Sequence, residues 1–246
     1  MTTWADLHAY ILRIAPDLRE AMVGVPEADI AACERDWQLE LPSAYRSFLA
    51  CMGAGAGHFS PFPGQEWNFY TLLRDPPDEY RPRDYFRVAI ENEPSLVVTM
   101  ESYLDMATVQ PNGDCELFEA EWLTDPAHTS RSRTKTFLEH MTRVSWFGLD
   151  GRRFAYDRQL DGPKSSFEGI HAGLKRAGFA SVFPPKPRLS LWSTPKGSPA
   201  SAYSRDSYVL VASDDEHFLE WVAHILNSVA GVRIDRREPS VFERWR

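Results

Sequence analysis

The chain has 246 residues, 43% of them hydrophobic, which is enough for one large or two modest globular domains. The formal net charge of −8 is uneven, because residues 1–145 carry 12 Lys and Arg against 23 Asp and Glu, whereas residues 146–246 carry 15 against 12. An acidic first part repels phosphate backbones, so it disfavours nucleic-acid binding and favours a basic protein partner, with simple solubility as an equal alternative.

Three helices are predicted near the N-terminus. The first closes near Pro16, and the second follows Pro26, a plausible first-turn residue. The third starts at Pro42, because proline has no amide hydrogen and suits the first turn of a helix. Their apolar faces, at intervals of three to four residues, are Trp4, Leu7, Ile11 and Ile14; Ile30, Cys33 and Trp37; and Tyr45, Phe48, Leu49 and Met52.

Strands follow the helices. We predict strands over residues 67–73, 86–90 and 96–100, and a two-residue Asn112-Gly113 turn between strands 106–110 and 115–118. A short helix over 134–141 then closes this part of the chain. Helices, antiparallel strands and a closing helix indicate an α+β fold rather than alternating β and α elements.

A new series of predicted strands and helices begins beyond Gly151, so the predicted domains are 1–147 and 148–246. In the second we predict a strand at 153–156, a helix at 166–178, strands at 188–192 and 208–212 around a loop at 193–201, and a strand at 232–234. A last helix is capped by Ser213 with Glu216 and ends at Gly231. This β-α-β-β-α-β order suggests a small α+β domain of the ferredoxin-like kind.

A spaced motif joins the second and third helices, and Gly53 is expected to end the third in the left-handed conformation. The motif residues are Glu34, Leu41, Pro42, Tyr45, Phe48, Leu49 and Gly53. We interpret them as core or cap residues, with Glu34 hydrogen-bonded to the backbone or to an arginine. Substitution of Leu41, Tyr45 or Phe48 should therefore destabilise the fold.

This motif resembles the signature of the SMI1/KNR4 family, also called the SUKH superfamily, and the resemblance covers about residues 27–144. It implies a domain of helices packed on an antiparallel sheet. Many bacterial members are immunity proteins that bind and neutralise a contact-delivered toxin. The resemblance thus implies a cytoplasmic, non-enzymatic toxin inhibitor. The residues themselves predict no cofactor or metal. Fungal members are linked to cell-wall synthesis and signalling, so a regulatory or scaffolding protein is the alternative.

The predicted binding surface lies among acidic and aromatic residues of the strands and loops, because aromatic anchors beside carboxylates suit a basic protein surface. Trp67 and Tyr70 are equally compatible with a core position. An enzyme that uses these carboxylates with His58 or His128 is a third hypothesis. No secretion signal, membrane span, phosphate-binding loop, zinc motif or nucleophile elbow is evident in the sequence. The surface residues are Glu66, Trp67, Tyr70, Asp75, Asp78, Glu79, Tyr80, Asp84, Glu91, Glu93, Asp114 and Glu116.

Overall fold

The computed structural model describes residues 2–74, 84–91, 100–120, 129–130, 136–162, 167–183, 189–194, 200–205, 208–230 and 233–234. The chain divides into two compact units, Met1–Val144 and Ser145–Arg246. The described residues form eight α-helices and three antiparallel sheets, which confirms the predicted α+β class.

The described residues of the first unit form six α-helices. A capping box between Thr3 and Asp6 starts the first of them, and buried apolar residues at helical spacing hold it against the core. The predicted first three long helices are present with the expected stripes. The helices are α1 (Trp4–Ile14), α2 (Leu18–Ala21), α3 (Glu27–Trp37), α4 (Ser43–Met52), α5 (Phe69–Arg74) and α6 (Phe137–Ser145).

Two sheets accompany these helices. A small one pairs β1 (Met22–Val23) with β2 (Gly55–Ala56), and the larger one is a meander of five strands in sequence order. An aromatic cluster links α1, α4 and α6 to this larger sheet, with the ring of Tyr45 5.3 Å from Phe137 and 5.9 Å from Phe86. The larger sheet consists of β3 (Gln65–Glu66), β4 (Tyr85–Glu91), β5 (Glu101–Asp105), β6 (Glu116–Ala120) and β7 (Thr129–Ser130).

Glu34 links the two motif helices through hydrogen bonds. Its Oε1 accepts hydrogen bonds from the Leu41 amide at 3.0 Å and from Nε of Arg46 at 3.3 Å, as the sequence predicts. The predicted left-handed Gly53 is wrong, because its φ is −64°. Gly53 is needed for space instead, since a Cβ there would lie 2.7 Å from Cα of Leu49. The left-handed residue is Gln38, with φ 54°, at the end of α3.

Two predicted strands of this unit are helical turns. The strand expected at 67–73 is α5, because Oδ1 of Asn68 accepts from the amides of Tyr70 and Thr71 and caps a helix. The strand expected at 106–110 begins as a 3₁₀ turn over Met106–Thr108, which Asp105 caps through the Ala107 amide. The strand expected at 96–100 lies outside the described residues, apart from its last position.

The turn before β6 differs from the two-residue hairpin that Asn-Gly predicts. The Gly113 amide donates to the Gln110 carbonyl at 2.8 Å, which closes a four-residue turn, and only Gly113 has a positive φ there, of 75°. The Gly113 carbonyl in turn accepts from the Ala44 amide at 3.1 Å. The turn therefore supplies the acceptor that the start of α4, after Pro42, lacks.

The second unit is a six-stranded antiparallel sheet with the strand order β13-β8-β12-β11-β10-β9. The π-helical segment Trp146–Asp150 and a 3₁₀ turn over Gly151–Arg153 precede the sheet, where sequence predicts a strand at 153–156. The elements are β8 (Tyr156–Asp161), α7 (Phe167–Arg176), β9 (Ala180–Ser181), β10 (Leu189–Ser193), β11 (Ala200–Arg205), β12 (Tyr208–Ser213), α8 (Glu216–Ala230) and β13 (Arg233–Ile234).

The predicted β-α-β-β-α-β order omits β9 and β11. β11 contains only small and polar residues around Tyr203, a composition typical of a loop, yet it is buried at the centre of the sheet. Helices α7 and α8 cover one face, where Trp192, Val211 and Leu226 belong to one buried hydrophobic cluster. The cap of α8 is Asp215, whose Oδ1 accepts from the Phe218 amide at 3.1 Å, so the prediction of a Ser213 cap is wrong.

Candidate functional site

Seven of the twelve predicted surface residues fall within the described ranges. Three of these seven have carboxylates that the fold itself uses. Glu66 accepts from the Asn68 amide at 2.7 Å, and Glu91 accepts from the Met100 amide at 3.0 Å. The five predicted residues that lie outside the described ranges are Asp75, Asp78, Glu79, Tyr80 and Glu93.

Asp114 is the third such carboxylate, and it belongs to the interior. Its side chain is fully buried, accepts from the Thr136 hydroxyl at 2.6 Å, and caps α6 by accepting from the Leu138 amide at 3.0 Å. A residue with no exposed surface cannot contact a partner, so the prediction that Asp114 belongs to the binding surface is wrong. Its position directly after Gly113 suggests exposure, and the contact with Thr136 cannot be read from local sequence.

Of the three predicted aromatic residues, Trp67 and Tyr70 lie in the described ranges, and one is packed while the other is at the surface. Trp67 is half-buried, and its ring lies 6.2 Å from the ring of Phe48 in α4. Tyr70 is 37% exposed, and its hydroxyl donates to Oδ2 of Asp29 at 2.7 Å. This hydrogen bond raises the pKa of Tyr70 above its ordinary value. Tyr70 is therefore an exposed aromatic residue beside a carboxylate, as the prediction requires.

Asp84 and Glu116 lie at the same end of the large sheet. Asp84 directly precedes β4 and Glu116 is the first residue of β6, and both are exposed. The register brings a third carboxylate to this end, because Asp105, the last residue of β5, is directly opposite Glu116. Like charges in that position destabilise a sheet. Asp105 is not among the predicted surface residues. The pairing register of β5 and β6, which places Asp105 opposite Glu116, is what identifies it.

We call Asp84, Asp105 and Glu116 the acidic end. Aromatic rings adjoin it, since Tyr85 pairs with Asp105 across the strands and its ring lies 5.0 Å from that of Phe118. Both aromatic side chains are partly exposed. The acidic end thus combines negative charge with apolar ring surface.

A buried ion pair lies further along the same face of the sheet. Nη1 of Arg87 donates to Oε1 of Glu101 at 2.8 Å, and the hydroxyl of Tyr103 donates to Oε2 of Glu101. Nη2 of Arg87 donates to the Leu72 carbonyl at 3.3 Å. Because these contacts satisfy the guanidinium and the carboxylate, the pair is structural and separates the acidic end from the other end of the sheet.

A small pocket opens beside Arg87. Its space suffices for about one water molecule, which is too little for a metabolite. The walls are apolar apart from the guanidinium. The pocket is lined by Trp37, Tyr45, Phe69, Leu72, Leu73, Phe86 and Arg87.

Two buried thiols and one buried imidazole of the described residues have structural surroundings. Burial raises the pKa of Cys33 to about 12 and also raises that of Cys115, so neither forms a thiolate readily. His140 is buried against Phe62, and burial lowers its pKa to about 4. His58 is exposed, with Nδ1 3.6 Å from a carboxylate oxygen of Asp17. Across the described ranges, no three His, Cys, Asp or Glu side chains come together as a metal site requires.

No family model matches this chain, and neither a curated protein nor a solved structure shows significant similarity to it. Among the described residues, no helix combines the length and the apolar character needed to cross a membrane.

Proposed function

We propose that this protein is an immunity protein, which binds a cognate toxin and neutralises it by occluding the toxin's active site. The observation that carries the proposal is the acidic end, where Asp84 and Glu116 are exposed and Asp105 opposes Glu116 directly. The motif around Glu34 supports it through its resemblance to the SUKH superfamily. On this proposal the protein is cytoplasmic, is not an enzyme and needs no cofactor.

A basic toxin surface would relieve the repulsion within the acidic end. Asp105 and Glu116 cost stability where they oppose each other, and a lysine or arginine placed between them removes that cost. Tyr85 and Phe118 supply flanking ring surface for the aliphatic part of such a side chain. The surplus of carboxylates over residues 1–145 also raises the association rate, because it steers a basic partner over long distances.

The proposal is tested by co-expression with the product of a neighbouring toxin gene, with cell survival as the measurement. Asp84→Lys and Glu116→Lys should each weaken the purified complex by roughly tenfold, with a larger loss at low salt, because exposed charges are screened over roughly 8 Å at physiological ionic strength. Glu20→Lys makes the same charge change at an exposed position of α2 and is the matched control.

Three outcomes separate the possibilities. Equal weakening by Glu20→Lys would show that only net charge matters, which contradicts the proposed location. A toxin that keeps full activity in a molar excess of this protein would contradict the immunity function. Several weak partners, together with survival that is independent of the neighbouring gene, would favour the regulatory or scaffolding alternative.

A further inference from the structure

The outer face of α8 carries an exposed aromatic residue that the core does not use. Trp221 is 48% exposed, and its ring lies 5.6 Å from the ring of the partly buried Phe218. Phe218 in turn lies 6.0 Å from the buried Phe179. A chain of ring contacts therefore connects the core of the second unit to Trp221, and exposed Trp is a residue type that often anchors binding partners.

The sequence at the start of α8 is locally acidic. Asp214, Asp215, Glu216 and Glu220 occur within seven positions, and the sequence has no Lys or Arg between residues 205 and 233. This contrasts with the excess of basic residues over residues 146–246 as a whole. Three of the four carboxylates have internal roles as hydrogen-bond acceptors or in an ion pair with Arg158.

Glu220 is the carboxylate of this group that points most clearly to a partner. Its side chain is 67% exposed, and its Oε2 lies 3.9 Å from Nδ1 of His217, which is 97% exposed. Glu220 is next to Trp221 in sequence, and His224 lies one turn further along the exposed face. Trp is the aromatic residue with the strongest attraction for cations, so a carboxylate beside it suits a lysine or arginine side chain.

We propose that the α8 face, defined by His217, Glu220, Trp221 and His224, is a docking surface for a Lys- or Arg-bearing segment of the toxin. This inference rests on the proposed immunity function and gives the second unit a part in it. The cationic group of the partner lies over the Trp221 ring and pairs with Glu220. The acidic sequence around this face argues for this occupant over a symmetric second copy of the chain, which would bring the carboxylates of residues 214–220 in one copy near those of the other.

The experiment measures the Kd of the full chain for the product of the neighbouring toxin gene. Trp221→Ala should raise the Kd by roughly 30-fold, as for an interface hot spot, and Glu220→Lys by roughly 3- to 10-fold. Tyr156→Ala and Glu168→Lys are matched controls on exposed residues of the same unit, and each should change the Kd by less than about twofold. Because Trp221 and Glu220 are exposed, the unfolding midpoints of their variants should equal that of the wild-type protein.

Failure of this inference differs from failure of the proposed function. If the wild-type complex forms and neither Trp221→Ala nor Glu220→Lys weakens it, the docking surface is wrong while the immunity function stands. If the wild-type protein forms no complex, both are wrong. If Trp221→Ala instead converts a dimer to a monomer in sedimentation equilibrium, the face belongs to a second copy of the chain and the inference is overturned.

Discussion

Replacement of Glu34 by alanine tests the structural role of the motif most directly. Oε1 of Glu34 is the acceptor for the Leu41 amide and for Nε of Arg46. The Glu34 side chain is only 16% exposed, and Leu41 is 3% exposed. Glu34→Ala therefore leaves a buried amide without an acceptor in the segment between α3 and α4.

A buried donor without a partner costs about 1–3 kcal/mol, so Glu34→Ala should lower the free energy of unfolding by about 2 kcal/mol. Glu34→Gln keeps an acceptor but loses the charge that strengthens both hydrogen bonds, so about 1 kcal/mol is expected. Glu27→Ala removes the other partner of Arg46 from an exposed position, where ion pairs contribute little, and should leave stability unchanged.

Hydrogen exchange of the amides, measured by mass spectrometry, locates this effect within the first unit. Urea unfolding measures the accompanying loss of stability. The Leu41 amide should exchange much faster in Glu34→Ala than in the wild-type protein, and Glu27→Ala should exchange like the wild type. The reasoning is refuted if the Leu41 amide keeps its protection in Glu34→Ala, or if Glu27→Ala is as unstable as Glu34→Ala.

Two further predictions concern stability. Gly113→Ala would place a Cβ 1.7 Å from the hydroxyl oxygen of Ser43 at a positive φ, so it should cost at least about 2 kcal/mol, whereas Gly64→Ala has a similar φ and open space and should cost about 1 kcal/mol. Equal unfolding midpoints would contradict this. Burial lowers the pKa of His140 from its ordinary value of 6.5 to about 4. The stability that neutral His140 contributes is therefore fully present above pH 6.5 and is lost as the pH falls towards 4. Urea midpoints across this window should depend less on pH in His140→Gln, although His8 and His171, whose pKa values burial also lowers, still contribute to the slope. An unchanged slope would refute this prediction.

The helices of the first unit could be predicted because their signals are local. Pro42, the apolar stripes and the acceptor role of Glu34 all act within one or two turns of chain, and the structure contains each of them. α5 was missed because its local signal points to the wrong element: the aromatic and β-branched residues after Trp67 favour a strand. The Asn68 side chain overrides that preference by capping a helix.

Parts of the site depend on contacts that are distant in sequence. Asp114 is buried because Thr136 and the start of α6 return to it, and nothing near Asp114 shows this. Asp105 lies opposite Glu116 because of the register of β5 and β6. The predicted Asn-Gly hairpin starts its first strand at residue 106, closer to the turn, and so leaves Asp105 out. β11 was missed because the buried centre of a sheet accepts small residues that alone indicate a loop.

The strand order of the two large sheets has a consequence for how the protein folds during synthesis. Neighbouring strands of the first unit follow one another along the chain, so each can pair as soon as it leaves the ribosome. In the second unit, β8 lies between β12 and β13, and its Leu160 pairs with Val209 and Ile234. One edge of β8 must therefore stay open until residue 213 has been made, and the other until residue 234 has been made. This interval is when the protein is most exposed to aggregation.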